Sequence, residues 1–126
     1  MDALYRDYIL DHYKRPRNFG TLEPHHLEAH DYNPLSGDEL GVHIRVEDDK
    51  IADLRFHGQG CAISQAAASI ASEEMIGMPL EEIGRLDAAW VIDLLGIDIS
   101  PTRRKCALLS LKVTRGAATG DTSWPE

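Results

Sequence analysis

The amino-acid sequence predicts an α+β fold in which a small antiparallel sheet is followed by a helical C-terminal half. Residues 40–57 alternate between apolar and polar side chains, which is the period of half-buried strands. Residues 62–75 and 101–116 place their apolar side chains at helical spacing instead. Because strand patterns and helix patterns occupy separate parts of the chain, the sequence favours an α+β arrangement over a parallel α/β fold.

Length and charge limit the classes of protein to be considered. The chain has 126 residues, which is enough for one domain with one sizeable core. Its formal net charge of −8 argues against a nucleic-acid-binding protein, which normally presents a basic face. Residues 103–105 form a short basic cluster that either is solvated or recruits an acidic protein surface.

No apolar run is long enough to span a membrane, and the N-terminal residues lack the pattern of a secretion signal. We therefore expect a cytoplasmic protein that binds neither membrane nor nucleic acid. In that reducing compartment, Cys61 and Cys106 are expected to be thiols or ligands rather than a disulfide.

The N-terminal third is predicted to contain one helix and one edge strand. Asp2 can cap a helix that runs to about Tyr13, and Pro16 ends it. A weak pattern leads to an edge strand near residues 27–32, and residues 33–38 consist of turn-forming residue types.

Two further strands, joined by a turn at residues 48–50, are expected to form an antiparallel ribbon. In the first strand Leu40, Val42, Ile44 and Val46 share one side. In the second strand the pattern groups Ala52, Leu54 and Phe56 on one side, and Ile51, Asp53, Arg55 and His57 on the other.

The C-terminal half is predicted to contain helices at residues 62–75, 79–85 and 87–95, and a last helix from about Ser100 to Gly116. Cys106 would lie in the second turn of that last helix. The sequence thus predicts a single domain over residues 1–116, followed by a small, polar and disordered tail over residues 117–126.

The residues with the strongest chemical signal surround Cys61. The segment Gly-Gln-Gly-Cys at residues 58–61 ends a predicted strand and opens a predicted helix. Glycines leave space beside the thiol, and a helix start favours the thiolate that binds metal or attacks sulfur. A small buried cysteine at a helix start is the alternative.

Asp38 and Cys106 offer further donors, so two thiols and a carboxylate could bind zinc or iron. No C-x-x-C pair is present, and the metal signal from spacing alone is weak. His57 is close enough to Cys61 to be a minor ligand candidate, whereas His25, His26 and His30 are expected to be solvated.

Four ordered motifs resemble the U-type iron–sulfur cluster assembly scaffolds, the IscU/SufU/NifU N-terminal family. They are the opening segment at residues 4–18, Asn-Pro-Leu-Ser-Gly-Asp at 33–38, Gly-Gln-Gly-Cys-Ala-Ile-Ser at 58–64, and Arg-Lys-Cys-Ala-Leu-Leu at 104–109. The similarity covers roughly residues 2–116 and implies an IscU/SufU-like fold.

Two details distinguish between branches of this family. Lys105 precedes the last cysteine, as in SufU proteins, whereas IscU proteins carry histidine there. The segment between residues 84 and 101 is too short for the usual SufU insertion, so the chain resembles a SufU-like protein of IscU-like length.

The resemblance implies that Asp38, Cys61 and Cys106 bind zinc or a transient 2Fe–2S cluster. Ser36 stands where the family has its first cysteine. A serine hydroxyl is a poor soft-metal ligand and cannot carry a persulfide, so either Ser36 or an exogenous group would take the fourth place. An introduced substitution and a natural variant both fit this departure.

The implied function is that of a scaffold, not an enzyme, although sulfurtransferase activity is compatible with the motifs. The implied partners are a cysteine desulfurase that delivers sulfur and acceptor apoproteins, and the implied state is a monomer or a cluster-bridged dimer. Two alternatives remain: a zinc-dependent sulfur-transfer partner of a desulfurase, which Lys105 favours, and a non-catalytic adaptor, which Ser36 favours if it is natural.

Overall fold

The computed structural model describes residues 3–126 and has the predicted α+β architecture. One helix precedes three strands, and four helices follow them: α1 Ala3–Lys14, β1 Leu27–Tyr32, β2 Glu39–Glu47, β3 Lys50–Gln59, α2 Ala62–Met75, α3 Leu80–Ile83, α4 Ala88–Leu95 and α5 Arg104–Thr119. The predicted N-cap Asp2 lies outside the described residues. The predicted helix at residues 79–85 is shorter than expected, because only Leu80–Ile83 is helical.

The three strands form an antiparallel sheet in the order β1-β2-β3. Leu40, Val42 and Ile44 alternate along β2 and are fully buried, so their side of the sheet faces the core. The helices α2 and α5 pack on the sheet, and α1 packs on α2. Buried alanines on α2 give the small surface that close helix packing requires.

A β-bulge changes the predicted alternation in β3. Ile51 pairs with Val46 and Asp53 pairs with Arg45, so Ala52 is an extra residue between the two pairs. The insertion moves Ile51 to the core side, where it is fully buried with Leu54, whereas the sequence pattern groups it with Asp53 on the opposite side.

The last helix begins later and ends later than predicted. Residues Pro101–Arg103 form a 3-10 turn, and α5 proper starts at Arg104, which places Cys106 in its first turn. Gly116 lies within the helix, and the end is formed by Gly120, which has a left-handed φ of 82°.

The prediction of a disordered tail from residue 117 differs from the structure. Residues 117–119 continue α5, Trp124 packs against the core and Pro125 is buried. The Arg115 guanidinium also donates a 3.0 Å hydrogen bond to the Ser123 carbonyl. The small and polar composition favours disorder, but the tail contacts the folded domain through Trp124 and through the hydrogen bond from Arg115.

Across residues 3–126, the structure contains no helix with the length and apolar character needed to cross a membrane.

Candidate metal centre

The loop between β1 and β2 is closed by its own backbone. The Asn33 carbonyl accepts hydrogen bonds from Gly37 N at 2.8 Å and Ser36 N at 3.3 Å, and Asn33 N donates to the Asp38 carbonyl at 2.8 Å. Gly37 has a φ of 79°, a conformation that glycine adopts without strain. These bonds fix the direction of the Ser36 and Asp38 side chains.

The glycines before Cys61 allow the loop and the strand to approach closely. A Cβ added to Gly58 would lie 2.3 Å from the Glu39 carbonyl oxygen, and one added to Gly60 would lie 2.7 Å from Asp38 Oδ1. Gly58 therefore requires glycine, because the clash is with backbone, whereas a side chain at position 60 would displace the Ser64 and Asp38 side chains. The packing brings the Asp38 carboxylate against the start of α2.

Cys61 is the N-cap residue of α2. Its backbone N–H donates a 2.8 Å hydrogen bond to Asp38 Oδ1, and its Sγ lies 3.9 Å from Asp38 Oδ2. The thiol is partly exposed, so a ligand or a reactant can reach it.

Cys106 approaches the same carboxylate from the first turn of α5. It is buried, with its Sγ 3.7 Å from Ser36 Oγ and 3.8 Å from Asn33 Nδ2. Ser36 Oγ donates a 2.8 Å hydrogen bond to Asp38 Oδ2. The serine hydroxyl thus lies beside both the carboxylate and the buried thiol.

Three elements that are far apart in sequence therefore converge. One ligand atom each from Asp38, Cys61 and Cys106 lies within 4.8 Å of the other two. The three residues and Ser36 line an open cleft of about 560 Å³, together with Arg103 and other residues of neighbouring segments. Two sulfurs and one carboxylate form a donor set that suits zinc or iron, with space left for a further ligand.

Electrostatics distinguishes the two thiols. Burial and the adjacent Asp38 carboxylate raise the pKa of Cys106 to about 12. Burial acts in the same direction on Cys61, but the N–H groups of Ser64 and Ile63 and the Cys106 thiol outweigh it and hold the pKa of Cys61 below its ordinary value. Cys61 is therefore the better nucleophile, whereas Cys106 loses its proton chiefly when a cation replaces it.

Asp38 remains ionised in this environment. Burial tends to raise its pKa, but hydrogen bonds from Cys106, Ser36 and the Cys61 backbone lower it, as does the charge of Arg103. The net effect is a pKa below the ordinary aspartate value, so the carboxylate offers a negative charge to a cation.

Sequence reasoning did not give Asn33 or Arg103 a place in the site. By residue type Asn33 indicates only a turn, yet its side chain is buried and its Nδ2 lies 3.8 Å from Cys106 Sγ. Arg103 belonged to a basic cluster assigned to solvent or to a partner, yet it lines the cleft. Its position three residues before Cys106 on a helical path was the available signal, because such residues share a face.

The histidines lie elsewhere. His57, the minor ligand candidate, packs on the outer side of the sheet, where its ring lies against Gly41 and its Nδ1 is 3.3 Å from the Gly20 carbonyl. It is not among the residues that line the cleft.

A second group of ligand atoms, from Glu23, His25 and His43, also lies within 4.8 Å of one another. The rings of His25 and His43 are stacked at 3.8 Å with an angle of 14° between their planes. A metal ion lies in the plane of each imidazole that binds it, and two nearly parallel stacked rings do not share such a position. His43 Nδ1 also accepts a hydrogen bond from Leu22 N, so this group is less suited to a metal than the cleft.

Comparison with known proteins shows similarity over nearly the whole chain. The chain is 33% identical over 129 aligned residues to the zinc-dependent sulfurtransferase SufU of Bacillus subtilis, covering 89% of this chain and 87% of that protein. It is 32% identical over 114 residues to the iron–sulfur cluster assembly scaffold protein IscU 1 of Archaeoglobus fulgidus, covering 90% of this chain and 74% of the relative.

Solved structures agree with the fold. A protein of Fervidobacterium islandicum AW-1, named as a candidate iron–sulfur cluster assembly scaffold for the SUF system, superposes with a TM-score of 0.78 at 28% identity, covering 90% of this chain and 95% of that one. The N-terminal part of a NifU-like protein of Brucella abortus has a TM-score of 0.70 at 19% identity, covers 90% of each chain and supports the fold alone. The family model described as the NifU-like N terminal domain matches residues 4–120, and the chain therefore belongs to the NifU-like N-terminal domain family.

Proposed function

We propose that this chain is an iron–sulfur cluster assembly scaffold that binds zinc or a nascent cluster and receives sulfur from a cysteine desulfurase. The convergence of Asp38, Cys61 and Cys106 in one open cleft carries this proposal. Relatives named as IscU scaffolds and as SufU support it. In this function the cluster, of the 2Fe–2S type, is cargo that passes on to acceptor apoproteins.

The site fits a metal because its donors are close and because one of them is already ionised. Asp38 would supply a carboxylate oxygen, and the two cysteines would supply thiolates. Bound zinc would act as a Lewis acid that keeps both sulfurs deprotonated. Ser36 Oγ lies beside the site and donates its proton to Asp38, and because a protonated hydroxyl is a poor ligand for a soft metal, an exogenous group would be the better fourth ligand.

Cys61 is the residue best suited to accept sulfur, since Ser36 cannot carry a persulfide. The Cys61 thiolate would attack the terminal sulfur of the desulfurase persulfide, forming a new sulfur–sulfur bond as the partner's cysteine leaves as a thiolate. The exchange needs no oxidant. The partly exposed position of Cys61 and its lowered pKa both favour the role of sulfur acceptor.

Zinc-dependent sulfur transfer without cluster assembly is the second candidate. Lys105 stands directly before Cys106, and a lysine at this position resembles SufU proteins rather than IscU proteins. The relative named as a zinc-dependent sulfurtransferase also covers most of both chains. Both candidates place the protein in the cytoplasm with a desulfurase, and they differ in whether iron replaces zinc.

The test begins with metal binding. The purified chain is titrated with zinc in the presence of a chromogenic chelator, beside Cys61→Ala and Cys106→Ala. We expect one zinc per chain for the unaltered protein and loss of binding in both variants. Each variant should remain folded, with a free energy of unfolding lowered by about 1 kcal/mol, typical of a point substitution.

Sulfur transfer is measured next. The chain is mixed with a cysteine desulfurase and cysteine, and trapped persulfides are located by peptide mass spectrometry. We expect a persulfide on Cys61 and none in Cys61→Ala. Reconstitution with ferrous iron then distinguishes the candidates, because a scaffold develops cluster absorbance whereas a zinc-dependent transfer protein retains zinc. Metal-free protein that accepts no sulfur but still binds the desulfurase would contradict both candidates and support an adaptor.

A further inference from the structure

The last residues of the chain fold back along α5. The Asp121 carboxylate accepts hydrogen bonds from Ser123 N at 3.0 Å and Ser123 Oγ at 2.7 Å, which forms a turn after Gly120. The Ala88 N–H at the start of α4 donates to the Glu126 carbonyl at 3.1 Å. Residues 121–126, which we term the C-terminal strap, are therefore held at both ends. They lie outside the residues 4–120 that the family model matches.

The centre of the strap is Trp124, whose ring lies under two lysines of α5. Lys105 Nζ is 5.1 Å and Lys112 Nζ is 5.2 Å from the ring centre. Both distances are within the range of cation–π contacts. The lysines are seven positions apart on α5, so they share one face of the helix.

The two lysines differ in what else holds them. Lys112 is buried and pairs with the Asp31 carboxylate. Lys105 is partly exposed and has no carboxylate partner among residues 3–126, so the aromatic ring is what restrains its ammonium group. Lys105 also directly precedes Cys106, and it is not among the residues that line the cleft.

A Lys105 side chain released from Trp124 would carry its positive charge next to the cleft, because Lys105 directly precedes Cys106. Lysine carries its charge on a flexible four-carbon stem, and Asp38 is the carboxylate among the described residues that line the cleft. An ammonium group paired with Asp38 would occupy the oxygen that a metal needs, and it would repel the metal directly.

We propose that Trp124 is a positioning residue for the metal site: it holds the Lys105 ammonium group on the C-terminal strap and so keeps it away from Asp38. This inference rests on the proposed metal-binding function. It assigns a role in metal affinity to a residue of the strap, which packs on the face of α5 that carries both lysines.

The experiment compares zinc affinity, by chelator competition, in the unaltered chain, Trp124→Leu, Trp124→Phe, Lys105→Met and the double variant Trp124→Leu/Lys105→Met. Trp124→Leu should bind zinc about two- to fivefold more weakly, the size of effect that an exposed cation–π contact supports. Trp124→Phe keeps an aromatic ring and should lose less zinc affinity than Trp124→Leu. The double variant should regain the affinity of Lys105→Met.

The matched control is the double variant Trp124→Leu/Lys112→Met, which should bind zinc as weakly as Trp124→Leu does. If removing Lys105 does not restore affinity, Trp124 acts only by packing and the proposal is overturned. Equal affinity of Trp124→Leu and the unaltered chain overturns it as well. Thermal unfolding checks that each variant is folded. If Trp124→Leu does not fold, Trp124→Phe tests the same reasoning in its place.

A metal-free measurement separates this inference from the proposed function. Acetylation of lysines is followed by peptide mass spectrometry, with the exposed Lys50 as internal reference. Lys105 should be modified faster in Trp124→Leu than in the unaltered chain, and unchanged modification overturns the proposal whether or not zinc binds. If the unaltered chain binds no zinc, the proposed metal function fails and the effect on affinity fails with it.

Discussion

Gly60 is the position where one added methyl group should damage the site without changing its ligands. An alanine Cβ at this position would lie 2.3 Å from Ser64 Oγ, 2.7 Å from Asp38 Oδ1 and 3.1 Å from Asp38 Cβ. Ordinary contacts to carbon are about 3.5–4.0 Å. The Asp38 carboxylate must therefore move by roughly 1 Å, or the start of α2 must shift away from it.

The carboxylate has little freedom to move because Cys61 N donates to its Oδ1 at 2.8 Å and Ser36 Oγ to its Oδ2 at 2.8 Å. Overpacking of this kind costs about 1–3 kcal/mol of stability. Disturbing the groups that orient a metal ligand typically lowers affinity by about 10- to 100-fold. We therefore expect Gly60→Ala to stay folded and to bind zinc about 10- to 100-fold more weakly.

The assay is zinc competition with a chromogenic chelator, and Gly77→Ala is the matched control. Gly77 has a φ of 93° and no atom within 4 Å of an added Cβ, so alanine there strains the backbone without a clash. The Gly77→Ala substitution should lower the free energy of unfolding by about 1 kcal/mol and leave zinc affinity unchanged. Wild-type affinity in Gly60→Ala would refute the steric reasoning, and an equal loss in Gly77→Ala would show that affinity follows global stability instead.

Three further predictions concern individual side chains. Ser36→Cys should retain zinc longer against a chelator and accept a persulfide at position 36, because a thiolate is a softer and more accessible ligand than serine; unchanged retention without sulfur transfer would contradict the scaffold function. In metal-free protein, iodoacetamide should alkylate Cys61 well before Cys106, since burial raises the pKa of Cys106 to about 12 and excludes the reagent. Equal alkylation rates, measured by peptide mapping, would contradict the assignment of Cys61 as the more reactive thiol. His12 is buried with its Nδ1 2.7 Å from Ser69 Oγ, and burial lowers its pKa below 6.5. As the pH falls, the His12 side chain is therefore protonated in the unfolded chain before it is protonated in the folded one. Its contribution to the free energy of unfolding is complete above the ordinary histidine pKa and is lost as the pH falls towards the pKa of the folded state. Denaturant unfolding between about pH 7 and pH 5 should show a smaller loss of stability in His12→Asn than in the unaltered chain.

The sequence predicted much of the fold because local patterns reflect burial directly. Alternation in β2 identified Leu40, Val42 and Ile44 as core residues, and all three are fully buried. It failed in β3 because a bulge adds one residue, and a single insertion reverses the side for every residue beyond it. Bulge position depends on pairing with the neighbouring strand, which one strand's pattern does not contain.

The end of the chain shows the same limit. Residues 117–126 are small and polar apart from Trp124, so composition favoured disorder. The structure holds them by contacts outside the segment's own sequence pattern: Arg115 with Ser123, Trp124 with Lys112, and Ala88 with Glu126.

The sequence by itself determined the residue types available for chemistry and their order: a loop with Ser36 and Asp38, a glycine-flanked Cys61 and a helix-start Cys106. Motif resemblance indicated which of them belong together. Only the tertiary structure decided that their ligand atoms lie within 4.8 Å, that Cys106 is the buried thiol and Cys61 the accessible one, and that Lys105 lies on Trp124. The physical reason is that distance, burial and desolvation arise from segments far apart in the chain, and these are the quantities that set ligand geometry and pKa.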